Sequence, residues 1–203
     1  MKNYLNNTHI LKVITFTLYF IMLVFKFSYA EVNISAKKQI DKLMNDLVTD
    51  VENKDKNKNS FSYKNQLVKY LNLDFMARAT SGKYWKTASK KQKEKYKELL
   101  FLKIMYSINL HTKKLKEINF VHKKIEKRGK KLIYVRGTLK NKDSPEINII
   151  WKMYSKDLSI IDLQIEKISL IKTQKSETIN LLRKFKGNFE EFLNNFKIKN
   201  DNI

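Results

Sequence analysis

The segment LDFMARATSGKYWKTASKKQKEKYKELLFLKIMYSINL, Leu73 to Leu110, decides how the fold is read. It begins with a short helical pattern over Leu73–Ser81, continues through Gly82, and ends in a long helical pattern over Ser89–Leu110. Thr87 or Ser89 is predicted to cap the long helix. Beyond Glu98 this helix is apolar on nearly all sides, and a helix of that kind is buried. The sequence therefore predicts a helix that is either enclosed by protein or partly in contact with an apolar ligand.

After this helix the hydrophobic period changes from helical to alternating. Short polar turns separate the alternating segments, which favours an antiparallel meander, and each segment has one apolar face that helices must cover. On the polar face of the last segment, Asp162 and Glu166 are interpreted as solvated surface carboxylates rather than as a catalytic pair. The predicted strands are Ile118–Lys127, Lys131–Lys140, Glu146–Tyr154 and Ser159–Leu170.

Helical patterns flank the strands on both sides. An apolar stripe from Ile40 to Val51 predicts a first helix that begins at Asn33 or Ser35. The polar linker 53–60 separates it from a short helix over Ser62–Leu71. Gln174–Lys186 and Asn188–Phe196 are predicted to be two C-terminal helices. This order predicts one α+β domain in which helices pack on a curved four-stranded antiparallel sheet.

The first thirty residues have the composition of a targeting segment. Lys2 and Lys12 precede the apolar run Val13–Phe25, and Ser28 and Ala30 place small residues before a cleavage site. The run is shorter than the roughly 20 residues that a spanning helix needs. We expect a cleavable signal peptide over residues 1–30 and a single domain over residues 31–203. An uncleaved N-terminal anchor is the alternative.

The chain contains no cysteine, so its core is held by packing without disulfides. It is also strongly basic. The net charge is +22, and removal of the three lysines in residues 1–30 leaves about +19. The lysines are distributed through every segment, which disfavours nucleic acid as a partner. They predict a collective, salt-sensitive attraction to acidic surfaces. Single changes such as Lys86→Ala or Lys175→Ala are then expected to have small effects.

Residues that could support catalysis or bind a metal are sparse. His111 and His122 fall in different predicted elements and are interpreted as surface residues, because a metal site needs three or four converging ligands. No glycine-rich phosphate loop and no nucleophile-elbow motif occurs in the sequence. We therefore predict that the protein is not an enzyme and needs no cofactor.

Two blocks of sequence carry a resemblance to a known family. Leu73–Leu100, with its Gly-x-x-Trp-Lys element, and SIIDLQIEKISLI, Ser159–Ile171, resemble two characteristic blocks of the MlaC (toluene-tolerance) family in order and spacing. The resemblance extends over about residues 34–196. Three features depart from the family pattern. Ser81 replaces a leucine, Lys167 replaces a glycine, and the family's "nYR..F" segment is represented by Thr173, Gln174, Lys175 and Thr178.

The resemblance implies a fold similar to the cone of nuclear-transport-factor-like proteins and a periplasmic location. It also implies a monomeric phospholipid-binding carrier, the soluble component of an ABC-type lipid-transport system. Lipid would be exchanged with an inner-membrane ABC transporter, through its substrate-binding subunit, and with an outer-membrane lipoprotein complex. Two alternatives stay open, namely a secreted enzyme on a cone-shaped fold and a secreted basic module that binds acidic polymers.

A carrier of this kind needs a dry slot for acyl chains, and core-type side chains would line it. The strand alternation and the apolar helices predict which residues these are. Trp151 is interpreted equally well as a core residue or as a pocket wall. The predicted lining consists of Phe75, Leu99, Leu102, Tyr106, Val135, Ile149, Trp151, Leu163 and Ile165.

We expect the exported form to begin near Glu31, because the small residues before that position suit signal-peptide cleavage. N-terminal sequencing of protein recovered from the periplasmic fraction checks this. Protein that keeps Val13–Phe25 and sediments with the inner membrane would show that the segment is an anchor.

Overall fold

A computed structural model describes residues 3–54, 67–112, 119–141 and 144–196. Its helices are α1 (Asn3–Lys54), α2 (Leu73–Ser81), a 3₁₀ helix (Gly82–Lys86), α3 (Lys90–Thr112), α4 (Leu170–Lys184) and α5 (Phe189–Asn194). Its strands are β1 (Asn119–Arg128), β2 (Leu132–Asn141), β3 (Ser144–Tyr154), β4 (Ile160–Ile165) and β5 (Ile168–Ser169). The predicted helix Ser62–Leu71 and the linker 53–60 lie mostly outside the described residues.

The first helix is much longer than the sequence pattern predicts. α1 is continuous through Asn33 and Ser35, so the expected helix start at either residue is wrong. The apolar stripe nevertheless identifies its buried face, on which Ala36, Ile40 and Leu43 are buried. α1 packs with this face against β1 and β2. Within the described ranges, no helix combines the length and apolar character needed to cross a membrane.

The long helix begins where a capping residue was expected. The hydroxyl of Ser89 accepts a hydrogen bond from the Gln92 amide N–H at 3.2 Å. In return, the Gln92 side-chain oxygen accepts one from the Ser89 N–H at 2.9 Å. This reciprocal capping box satisfies two backbone donors at the start of α3. Thr87, the other candidate cap, instead donates to the carbonyl of Tyr84.

The strands form one antiparallel sheet in the order β1-β2-β3-β4-β5, with five strands rather than the predicted four. The difference arises because the predicted last strand, Ser159–Leu170, turns back on itself after Ile165. Ile165 pairs with Ile168 across the turn. α4 then begins at Leu170, four residues before the predicted start, because the Ser169 hydroxyl accepts the Lys172 N–H and caps it.

The turn between β4 and β5 places two L-residues in the left-handed region. Glu166 has a φ of 45° and Lys167 a φ of 72°. Two consecutive positive φ values define the tight hairpin turn that favours Asn-Gly. The glycine that the family pattern has in place of Lys167 is thereby explained, since glycine adopts this backbone without a Cβ clash.

Asp162 is not the solvated carboxylate that the sequence predicts. It is buried, and its carboxylate accepts hydrogen bonds from Lys152 Nζ at 2.7 Å, Ser169 Oγ at 2.7 Å and the Ile171 amide at 3.1 Å. The early start of α4 brings Ser169 and Ile171 over the polar face of β4, where Lys152 of β3 already lies opposite Asp162. The carboxylate therefore joins β3, β4 and the first turn of α4.

Buried side chains from all five α-helices and from β2, β3 and β4 form one core, and Tyr84 and Trp85 of the 3₁₀ helix pack against it. At its centre, the Tyr96 hydroxyl lies 2.7 Å from Thr80 Oγ1 and 3.0 Å from Thr178 Oγ1, linking α3 to α2 and α4. Burial raises the pKa of Tyr96 to about 12, so the phenol is neutral at physiological pH. Its ring makes edge-to-face contacts with three phenylalanines of the C-terminal segment, Phe189, Phe192 and Phe196.

We expect Tyr96→Phe to lower the free energy of unfolding by about 1–2 kcal/mol, because it removes the hydroxyl that two buried threonines share. Urea unfolding followed by circular dichroism measures this. Tyr84→Phe is the control, since no described hydrogen bond of the Tyr84 hydroxyl would be lost, and it should change stability by less than about 0.5 kcal/mol. Equal effects of the two changes would contradict a role for the hydroxyl.

We expect Lys167→Gly to stabilise the protein by about 0.5–1 kcal/mol. The change removes the cost of a left-handed L-residue, about 1–2 kcal/mol, and adds a smaller cost from the more flexible unfolded chain. Thermal and urea unfolding check this. Lys175→Gly, at an exposed position inside α4, should instead destabilise by about 1 kcal/mol. A destabilised Lys167→Gly variant would show that the lysine side chain contributes more than the backbone strain costs.

Candidate functional site

The five strand residues of the predicted pocket lie together on one face of the sheet. Val135, Trp151 and Leu163 form a row in which each is directly opposite the next across β2, β3 and β4. Ile149 pairs with Ile165 in the adjacent row. All five are buried in the core that the helices cover. The strand alternation therefore identified a continuous dry surface.

Trp151 lies at the centre of this surface and has an unpaired donor. Its indole N–H is buried and has no hydrogen-bond partner among the described residues. The ring of Phe120 meets the indole edge-to-face, with centroids 6.5 Å apart. Phe120 also fills the space above Gly137, where a Cβ would overlap its ring. A donor in such surroundings is costly unless it is paired, and it could bind a carbonyl oxygen of a ligand.

The four helix residues of the predicted pocket are distributed differently. Leu99 packs against the same core as the strand residues, whereas Phe75, Leu102 and Tyr106 lie outside it. The reason is the orientation of α3. Its fully buried stripe contains Tyr96, Leu100 and Ile104, spaced four residues apart. Because α3 is apolar on several sides, its sequence does not show which stripe faces the sheet.

Leu102 instead lines an open groove of about 860 Å³ between α3 and the start of α2. Leu71, Leu73 and Phe101 supply further apolar lining, and Phe101 is also part of the core. Phe101 is thus the residue at which the groove adjoins the core. Leu71 and Leu73 were not predicted as site residues. Leu71 forms a bridge to Ile160 at the start of β4, and this pairing leaves no recognisable pattern in the sequence.

Charged residues mark one rim of the groove. Lys97 Nζ lies 2.9 Å from Asp74 Oδ1 and 2.9 Å from Glu94 Oε2. The hydrogen bond to Glu94, with a smaller contribution from Asp74, raises the pKa of Lys97 although partial burial opposes this. Lys97 stays protonated, and the rim joins α2 to α3 across the groove.

The predicted cavity residue Phe75 takes part in a separate contact. Its ring meets the ring of Tyr154 edge-to-face, with centroids 5.3 Å apart. This contact attaches α2 to the end of β3. Tyr106 is half-buried in the second half of α3.

His122 is not the surface residue that the sequence predicts. Its side chain is 15% exposed, and Nε2 lies 2.6 Å from Asp41 Oδ1 on α1. Burial opposes ionisation of Asp41, but the hydrogen bonds from His122 and Lys37 outweigh it and lower the pKa of that carboxyl. The pair fastens α1 to β1. The side chain of His111 lies outside the described residues, and the described ones contain no group of three metal-ligating side chains.

Comparison with solved structures shows a shared fold. A phospholipid-binding protein from Ralstonia solanacearum, solved in complex with a phospholipid, is similar with a TM-score of 0.68. The identity is 14%, and the similarity covers 81% of this chain and 94% of the other. No curated relative matches this sequence.

The family comparison covers most of the chain. The family described as "MlaC protein" matches residues 37–197, which include α2, α3, the whole sheet and both C-terminal helices. The blocks at Leu73–Leu100 and Ser159–Ile171 both lie within this match. The chain therefore belongs to the MlaC family.

Proposed function

We propose that this protein is a periplasmic phospholipid-binding carrier that shuttles lipid between the inner and outer membranes. Its partners would be an inner-membrane ABC lipid transporter with its substrate-binding subunit, and an outer-membrane lipoprotein complex. It acts as a monomer. Membership of the MlaC family supports the proposal, and so does the fold shared with a protein solved with a bound phospholipid.

The observation that carries the proposal is the continuous dry face of the sheet. The rows Val135–Trp151–Leu163 and Ile149–Ile165 present five apolar side chains side by side. Each CH₂ group of an acyl chain that is exposed to water costs about 0.8 kcal/mol of free energy. Two exposed chains of about sixteen carbons therefore cost on the order of 20 kcal/mol. A carrier needs an apolar surface large enough to cover them.

Acyl chains reach this face through the groove between α2 and α3. Leu71, Leu73 and Leu102 line the entrance, and Phe101 belongs to both the groove and the core. The helices cover the dry face, so loading an acyl chain there separates them from the sheet. The unpaired indole N–H of Trp151 is then available to an ester carbonyl of the lipid.

Two other functions receive less support. An enzyme on this fold would place acidic, basic or nucleophilic side chains in the interior, whereas the described dry face carries Val135, Ile149, Trp151 and their apolar neighbours. A module for acidic polymers would account for the charge of the chain. It would not account for the leucine and phenylalanine side chains that line the groove between α2 and α3.

We expect the protein purified without detergent to carry phospholipid, and Leu102→Glu to reduce the bound amount at least tenfold. A carboxylate at the entrance must be desolvated or displaced before an acyl chain passes. Native mass spectrometry and thin-layer chromatography of extracted lipid measure the content. Leu102 is half-buried on a helix surface, and glutamate is a good helix former, so the variant should fold.

Val121→Glu is the matched control, because it introduces the same charge at an exposed apolar residue of β1 outside the groove. Its lipid content should equal that of the unmodified protein. Folded Leu102→Glu protein with full lipid content would show that chains enter elsewhere. Unmodified protein that carries no phospholipid would contradict the proposed function itself.

A further inference from the structure

The structure brings two segments that together carry eight basic side chains against each other. Five lysines lie within residues 83–93, which contain no acidic residue. Three more basic residues lie within residues 183–186, at the end of α4 and in the turn that follows it. We call the basic residues of these two segments the basic tip.

Several contacts hold the two segments against each other. The 3₁₀ helix packs on α4, and a Cβ placed on Gly187 would lie only 3.1 Å from Tyr84 Cε1. Lys93 on the first turn of α3 reaches back to the Trp85 ring, 5.5 Å from its centroid. Gln92 donates to Glu190 of α5 at 3.0 Å. The charges therefore share one surface despite a separation of about ninety residues in the sequence.

The basic tip differs from those parts of the described chain in which lysines lie beside carboxylates. Lys97, Lys103 and Lys152 each lie within 3 Å of a carboxylate. By contrast, no basic residue of the tip forms an ion pair with a described acidic residue. The sequence-based expectation that the lysines are not gathered into a patch is thus wrong for the basic tip.

Partly exposed aromatic rings accompany these charges. Lys83 lies 5.4 Å from the ring centroid of Tyr84, Lys93 is over Trp85, and Lys184 lies 5.7 Å from the centroid of Phe185. All three rings are half-buried. Tyrosine and tryptophan favour the boundary between hydrocarbon and water, and lysines extend from that boundary towards phosphate groups. A charged protein partner would require the cations but not the rings.

We propose that the basic tip docks on the surface of an anionic phospholipid bilayer. The cations bind the phosphate layer, and the Tyr84, Trp85 and Phe185 rings enter the interface beneath it. The surface is separate from the apolar groove, so docking does not depend on whether the groove carries lipid. An acidic protein surface is the competing partner.

The test compares the full-length protein with the triple variant Lys86→Glu, Lys90→Glu, Lys91→Glu in co-sedimentation with phosphatidylcholine vesicles, with and without phosphatidylglycerol. All three lysines are exposed, and glutamate in the first turn of α3 suits the helix N-terminus. Each basic residue near an anionic surface strengthens binding about fivefold. We expect the unmodified protein to bind only vesicles that contain phosphatidylglycerol, and to bind them more weakly as the salt concentration rises. The affinity of the variant for these vesicles should be lower by about thirtyfold or more.

The matched control is the triple variant Lys130→Glu, Lys131→Glu, Lys156→Glu. It makes the same change in net charge at three exposed lysines in two turns of the sheet, and it keeps the same apolar N-terminus. Its binding should stay within threefold of the unmodified protein. Tryptophan fluorescence should shift to shorter wavelength on vesicle binding in the control but not in the tip variant. The shift would come from Trp85, which is half-buried, because Trp151 is already buried.

Two results would overturn the proposal. Equal losses in the two triple variants would mean that net charge alone governs vesicle binding. The unmodified protein could instead fail to bind phosphatidylglycerol vesicles and bind an acidic protein through the tip lysines. That result would assign the surface to a protein partner. Neither result would affect the lipid content measured for the groove variants, so the two proposals fail separately.

Discussion

The hydroxyl of Tyr96 is the contact on which the helical layer depends. It lies within 3.0 Å of Thr80 on α2 and of Thr178 on α4, and its ring packs among the phenylalanines of α5. Thr178 and Gln174 occupy positions where the family pattern has Phe and Tyr. Both are buried, and Gln174 Nε2 lies 3.4 Å from Thr178 Oγ1. The departure from the family pattern thus forms a polar network that is satisfied internally, which a buried hydroxyl requires.

A second constraint couples the sheet to this layer. Asp162 can be buried only because Lys152, the Ser169 hydroxyl and the Ile171 amide surround its carboxylate. Lys152 lies directly opposite Asp162 on β3. Ser169 and Ile171 come into position when the chain reverses at Glu166 and Lys167, in a turn that neither side chain favours. The strained turn is tolerated because it sets the start of α4. The position of α4 in turn places Thr178 beside Tyr96.

The sequence predicts the sheet more successfully than the site, for physical reasons. A strand with one dry face must alternate between apolar and polar side chains. This alternation alone identifies β1 to β4 and the buried residues Val135, Ile149 and Leu163. α3 is apolar on several sides, and only packing decides that Tyr96, Leu100 and Ile104 face inward while Leu102 lines a groove. The β4–β5 turn contains neither Asn nor Gly, so no turn signal marks it. Five of the eight basic residues of the basic tip lie within residues 83–93. Residues 183–186 join them only through the fold.

One helix connects the two surfaces on which the proposed functions rest. The first turn of α3 carries Lys90, Lys91 and Lys93, whereas Phe101 and Leu102, about 15 Å further along the axis, line the groove. Fifteen ångströms is about half the thickness of a bilayer's hydrocarbon core. A helix held by its basic end at the phosphate layer would therefore keep the groove near the membrane surface. The charge distribution along α3 and the position of the apolar entrance thus satisfy the same requirement, that acyl chains cross as little water as possible.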